Sequence, residues 1–321
     1  MGMGSVFTRY AGLRCLFIQN TLGLNAYRHI ENAINYNSWN KTLYREQSTS
    51  VRLAYSIYSK EGRSSGSPVL IVHGLMGSRM NWNSVSKAIV SKINRNVIAI
   101  DARNHGDSAH SPDMTYGHMV EDLRLFVDEL KLGRVCPIGH SMGGKVVMLF
   151  ALTHPELVEK LVVVDVSPRR VSPSFTTVKK YLEAMQQIKF GKSMSMSAAR
   201  KLIEQKLSPI VKVPAVCQFL AMNVTQAENG EMKWKVNLDT LVDTFDEISS
   251  FPATDKVFEG PTYFIGGGDS DYIRKEDEQE IKKIFPSATF KYIPGAGHWV
   301  HADKPNEFVE EVCRFLTGNK N

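Results

Sequence analysis

The sequence predicts an α/β fold, a mainly parallel sheet flanked by helices and carrying a helical insertion. Three observations predict it. Short, continuous apolar runs recur at 69–72, 97–100, 135–138, 161–164 and 262–265, the composition of strands buried on both faces beneath covering helices. Segments of helical period lie between and after them. Residues 115–131 put Met119, Leu123, Phe126, Val127 and Leu130 on one stripe, and 304–316 do the same with Phe308, Val312, Phe315 and Leu316. The alternation stops between Ser167 and about Phe258, where Pro168, Pro173, Pro209 and Pro214 break the chain among helical patterns at 178–188, 198–207 and 238–248.

The elements follow in order. Residues 1–30 carry Arg9, Arg14 and Arg28 and no acidic residue, with Ser5, Thr8 and Thr21 among apolar side chains. This is the makeup of a basic mitochondrial presequence, so residues 1–48 are expected to be a transit segment and disordered N-terminus. Loss of residues 1–30 would remove three arginines and lower the formal balance from +6 to +3. From Ser50 an alternation of Val51, Leu53, Tyr55 and Ile57 on one face predicts a half-buried strand. The domain is expected over 49–317, with the insertion at about 167–258 containing no strong strand. An insertion at the carboxyl end of a parallel strand covers the ligand crevice and so acts as a cap.

Composition excludes several classes. The chain has 321 residues, 43% of them hydrophobic, with 39 Lys+Arg against 33 Asp+Glu, too apolar and too evenly charged for disorder. No stretch of 18 apolar residues occurs, so no transmembrane segment is expected. The basic residues are spread out rather than gathered into runs, which argues against a nucleic acid partner. Cys15, Cys136, Cys217 and Cys313 are scattered, without Cys-x-x-Cys spacing. Neither a disulfide framework nor a metal site is expected.

The sharpest motif is Gly139-His140-Ser141-Met142-Gly143-Gly144, between an apolar run and a helical one. A serine between glycines on a strand-to-helix turn is held exposed on a strained backbone. Its hydroxyl needs a base, and His298 in Pro294-Gly295-Ala296-Gly297-His298-Trp299 follows the last strand pattern. His301 reads instead as a surface histidine. A developing oxyanion needs fixed donors, and the N–H groups of Leu75, in His73-Gly74-Leu75-Met76-Gly77, and of Met142 are candidates. His73 reads as a structural hydrogen-bonder.

Together the loop 73–77, Asp101-Ala102-Arg103-Asn104-His105-Gly106-Asp107-Ser108, the motif 139–144 and residues 295–299 resemble the α/β-hydrolase superfamily over roughly 50–317. Asn104, Lys145 and Trp299-Val300-His301-Ala302-Asp303 resemble a subgroup of mitochondrial eukaryotic members and bacterial esterases. The resemblance implies an α/β-hydrolase fold and the chain order serine, acid, histidine, which disfavours Asp101 and Asp107 as the acid. Asp165, after the strand following the one that feeds Ser141, is the first candidate; its alternative is a turn residue before Ser167-Pro168. Asp269 and Asp271, in Gly266-Gly267-Gly268-Asp269-Ser270-Asp271, and Asp239 in the cap stay open. Aligning Tyr272-Ile273 puts Ser270 at the usual acid position, where it cannot act as a carboxylate. Arg103 is expected to staple its loop through an ion pair.

The resemblance implies a serine ester hydrolase acting through an acyl-enzyme on a lipid or acyl ester, diacylglycerol-like or a thioester, with no cofactor. It also implies the mitochondrial matrix as location and the 2-oxoglutarate dehydrogenase complex as a partner whose lipoyl groups are maintained. The alternatives are a binding protein on a hydrolase scaffold and a lyase using the same residues.

Overall fold

The computed structural model describes residues 50–61 and 64–318. The expected presequence lies outside the described residues. The chain runs through β1 (Tyr55–Tyr58), β2 (Val69–Val72), α1 (Asn83–Lys92), β3 (Val97–Ile100), α2 (Tyr116–Glu129), β4 (Cys136–His140), α3 (Met142–Thr153) and β5 (Leu161–Val164). The insertion follows, with α4 (Thr176–Gln186), α5 (Met196–Leu207), α6 (Pro214–Ala221), β6 (Val224–Gln226), β7 (Met232–Trp234), α7 (Leu238–Asp243) and α8 (Phe245–Ser249). The chain then returns through β8 (Thr262–Gly267), α9 (Glu278–Lys282), β9 (Ala288–Ile293), α10 (Val300–Asp303) and α11 (Pro305–Thr317).

Seven strands form one sheet in the order β1-β3-β2-β4-β5-β8-β9. All neighbours pair parallel except β1 with β3. Because side chains alternate across a strand, β2 feeds two cores. Leu70 and Val72 pack with α2 and α3, and Val69 and Ile71 pack with α1 and α11. The first core continues into the cap through Leu182, Ile203, Leu220 and Leu241. The fold is therefore the α/β-hydrolase architecture, with helices on both faces of a mostly parallel sheet.

Four local expectations differ from what forms. The predicted strand from Ser50 begins pairing only at Tyr55, and Ser56 and Tyr58 are its more buried residues. Both faces of β1 are covered: Tyr55 packs edge-on against Phe126, and Ser56 receives a hydrogen bond from Arg79. Alternation therefore does not mark a single buried face. The cap contains a short hairpin, β6–β7, whose three-residue strands are too short to leave a period. The helical pattern at 238–248 is two helices, split at Thr244, whose hydroxyl turns back to the carbonyl of Thr240. Pro214, read as a break, opens α6, where its missing N–H has no helical acceptor to lose.

The carboxyl ends of β2, β4, β5, β8 and β9 all lie on one edge of the sheet, because those strands are parallel. The loops leaving these ends carry the residues singled out above.

Candidate active site

Ser141 is the single residue between β4 and α3, at φ 54° and ψ −116°, a conformation that non-glycine residues rarely adopt. Its N–H is tied to the carbonyl of Val164, and its own carbonyl accepts from Lys145 N–H. The glycines of the motif permit this turn by close approach. A Cβ at Gly139 would lie 2.2 Å from the carbonyl oxygen of Gly143, and one at Gly143 would lie 2.3 Å from that of Val72. Ser141 is thus pinned where β4 ends, facing the crevice, with the N-terminus of α3 beside it.

His298 follows β9. Its Nδ1 is 2.7 Å from Asp165 Oδ2, and since a carboxylate only accepts, Nδ1 carries the proton and Nε2 is left with its lone pair. The His298 carbonyl accepts from His140 Nε2 at 2.8 Å, and Tyr272 stacks on the imidazole at 3.5 Å between centroids. The ring is fixed on its edge, its face and its backbone.

Asp165, directly after β5, is buried and at φ 49°. Its Oδ1 accepts from Gly267 N–H at 2.9 Å, and its Oδ2 accepts from the Ser270 hydroxyl at 2.5 Å as well as from His298. Three donors converge on one carboxylate. Gly267 permits the approach, since a Cβ there would come 2.2 Å from the carbonyl of Gly297.

None of the other candidate acids is hydrogen-bonded to the imidazole. Asp239 stays in the cap, where it accepts from the side-chain amide of Gln186. Asp271 accepts from Ser172 and Ser174 at the start of the insertion. Burial tends to raise its pKa, but these hydroxyls hold it below the usual carboxylate value. Asp269 is exposed on the rim and anchored through its N–H to the Ala296 carbonyl.

Leu75 sits in a turn closed by Gly77 N–H to the Gly74 carbonyl at 3.0 Å. Met142 is the first residue of α3, where an N–H has no intrahelical acceptor. His73 is a structural hydrogen-bonder: Nε2 accepts from Ala102 N–H and Nδ1 donates to the Gly74 carbonyl. Burial pushes it down to about 4. His105, likewise buried, is pushed down to about 3. His301 departs from the surface position expected of it. It is 5% exposed, stacks on Trp82 at 4.1 Å, and is lowered to about 3 by burial and then by the charge of His298. It lies on α10, which packs against α11.

Arg103 forms the expected staple, a fully buried pair with Asp122 at 2.7 Å through Nε. Behind the loop, Arg79 pairs with Asp101 and with Asp107, and Lys235 of the cap reaches Asp107 at 2.9 Å.

Ser141 and His298 open on one cavity of about 820 Å³ between sheet and cap, within the size range of small-molecule sites. Leu75, Val216, Phe219, Leu220, Met222 and Trp299 give it apolar walls. Among the described residues, His298 bonds Asp165 and His140 and not the Ser141 hydroxyl, and contacts of this kind tighten when substrate is bound. Among the described residues no cluster of three or more His, Cys, Asp or Glu could hold a metal ion, and no helix is long and apolar enough to cross a membrane.

Two residues of this arrangement were not foreseen in these roles. Ser270 occupies the usual acid position and donates to the Asp165 carboxylate instead. Its alignment with the hydrophobic pair Tyr272-Ile273 was the available signal. Tyr272 was read only as part of that pair, and nothing in its spacing indicates that it lies on an imidazole 26 positions later.

Residues 67–305 match the family model described as alpha/beta hydrolase fold. The chain is 44% identical over 266 residues to the sn-1-specific diacylglycerol lipase ABHD11 of Danio rerio, covering 83% of each chain. It is 31% identical to the esterase YbfF of Escherichia coli, covering 83% of this chain and 99% of that one. A solved marine microorganism esterase superposes with a TM-score of 0.77 at 38% identity, over 83% of this chain and all of the other.

Proposed function

The chain belongs to the α/β-hydrolase family and is an ester hydrolase, and from that premise we propose that Ser141, His298 and Asp165 cleave lipid or acyl esters by two-step acyl transfer. The observation that carries this reading is the His298–Asp165 hydrogen bond beside the strained Ser141, at one apolar-walled cavity.

With Nδ1–H committed to Asp165, His298 Nε2 is the base. It takes the Ser141 proton as Oγ attacks the carbonyl carbon, and the carbonyl electrons move onto oxygen. The Leu75 and Met142 N–H groups hold that oxyanion. Collapse expels the alcohol or thiol, which receives the proton from His298. Water, deprotonated by the same nitrogen, then releases the acid and restores Ser141. Asp165 fixes the tautomer and stabilises the imidazolium, and Ser270 and Gly267 hold Asp165.

The substrate class is a glycerolipid or a related acyl ester. The cavity volume and its aliphatic and aromatic walls support an acyl chain, as do relatives named diacylglycerol lipase. Thioesters react by the same steps, which is how the chain would act on acylated lipoyl thiols of the 2-oxoglutarate dehydrogenase complex. The arginine-bearing, acid-free N-terminus supports a mitochondrial matrix location. The test is turnover on matched oxygen esters and thioesters of increasing acyl length, together with diacylglycerol. The proposal expects hydrolysis that Ser141→Ala abolishes throughout; turnover surviving that substitution would overturn it.

A further inference from the structure

Met76 follows the oxyanion candidate Leu75 and stands at φ 63° in the turn 74–77. Left-handed backbone is unfavourable for a residue with a long side chain and usually falls to glycine or asparagine. Something must hold it there. Both peptide planes flanking its Cα are tied. The plane on the Leu75 side donates, through Met76 N–H, to His105 Nε2 at 3.1 Å. The plane on the Gly77 side accepts, through the Met76 carbonyl, from the Asn223 side-chain amide at 2.9 Å.

His105 belongs to the sheet domain, whereas Asn223 belongs to the cap. It is buried just past the end of α6, where its own N–H bonds the Leu220 carbonyl and its carbonyl accepts from Lys235 N–H. The same helical end carries Phe219 and Met222, both lining the large cavity. Phe219 also packs 5.6 Å from Trp299, the neighbour of His298. One short stretch of cap therefore touches the cavity, the loop of the base and the turn of the oxyanion candidate.

We propose that Asn223 is a positioning residue for hydrolysis. It holds the Met76–Gly77 peptide and so keeps the oxyanion turn in its strained form only while the cap is seated. Without the amide, the Met76 carbonyl is buried without its side-chain donor, the turn 74–77 is no longer held in its left-handed form at Met76, and its relaxation shifts the preceding Leu75 N–H off the oxyanion position. This inference rests on the acyl-enzyme reading given above.

The test is steady-state kinetics of Asn223→Leu on a p-nitrophenyl acyl ester, with affinity for a trifluoromethyl ketone, whose hemiketal oxygen occupies the oxyanion position. The expected result is kcat about tenfold lower with KM within twofold, since a displaced donor acts in the transition state. Ketone affinity falls by the same factor. Adding Met76→Gly, which makes the left-handed turn favourable without the amide, restores most of kcat. An unchanged kcat, a rise confined to KM, or a double variant no better than Asn223→Leu would overturn the role. Should Asn223→Leu not fold, Asn223→Ser is measured in its place with the same readouts. The two readings fail separately: full turnover in Ser141→Ala removes the acyl-enzyme, whereas an inactive Ser141→Ala beside a normal Asn223→Leu removes only the positioning role.

Discussion

His298 and Asp165 meet at 2.7 Å, Nδ1 to Oδ2, across 133 positions of sequence. In the proposed mechanism, that contact decides which ring nitrogen is free to act on Ser141. Replacing Asp165 by Asn leaves the shape but permits the wrong tautomer, so kcat is expected to fall by about 10⁴. Asp239→Asn, Asp269→Asn and Asp271→Asn should stay within about threefold of the parent, since Asp239 accepts from Gln186, Asp271 accepts from Ser172, and His298 Nδ1 is already taken by Asp165. Turnover of the four single variants on one ester checks the assignment.

Ser270 donates to the same carboxylate oxygen as His298. Ser270→Ala removes one charge-assisted hydrogen bond, and a loss of roughly 1.5 kcal/mol in the transition state corresponds to about tenfold in kcat. KM should stay unchanged. A fall in kcat as large as that of Asp165→Asn would mean that Ser270 touches the reacting atoms.

Arg103 and Asp122 form an ion pair with neither side chain exposed. Arg103→Leu strands a buried carboxylate, so unfolding free energy in urea should drop by about 3–5 kcal/mol. Arg103→Leu combined with Asp122→Leu should recover part of that loss, because no charge is then left buried alone.

His73, His105 and His301 are lowered to about 4, 3 and 3, mainly by burial. An unfolded chain takes up these protons near pH 6.5, while the folded one does not until far lower. The unfolded state therefore binds more protons between those values, and stability present above pH 6.5 is lost as pH falls toward 4. The loss is roughly 2 kcal/mol per histidine by pH 5. Urea unfolding at stepped pH should follow this slope, and His301→Phe should flatten it.

What the sequence made legible was local. Apolar runs marked β2, β3, β4, β5 and β8 because a strand covered on both faces has no polar side to hide the signal. The Gly-x-Ser-x-Gly turn was legible because its glycines and its flanking strand and helix are contiguous. The rest depends on approach between distant segments. Ser270 reaches Asp165 over 105 positions, and Asn223 reaches Met76 over 147. No periodicity records such meetings. His301 was misread for the same reason: its burial comes from Trp82 and Phe308 folding over it, and its neighbours in sequence, Ala302 and Asp303, gave no sign of that.

The proposed mechanism requires Ser141 to be an activated nucleophile. Intact mass after treatment with a fluorophosphonate tests it most directly, with Ser141→Ala as control. One adduct is expected on the parent protein and none on the variant. A folded parent that stays unlabelled while still hydrolysing esters, or a Ser141→Ala variant labelled to the same extent, would contradict it.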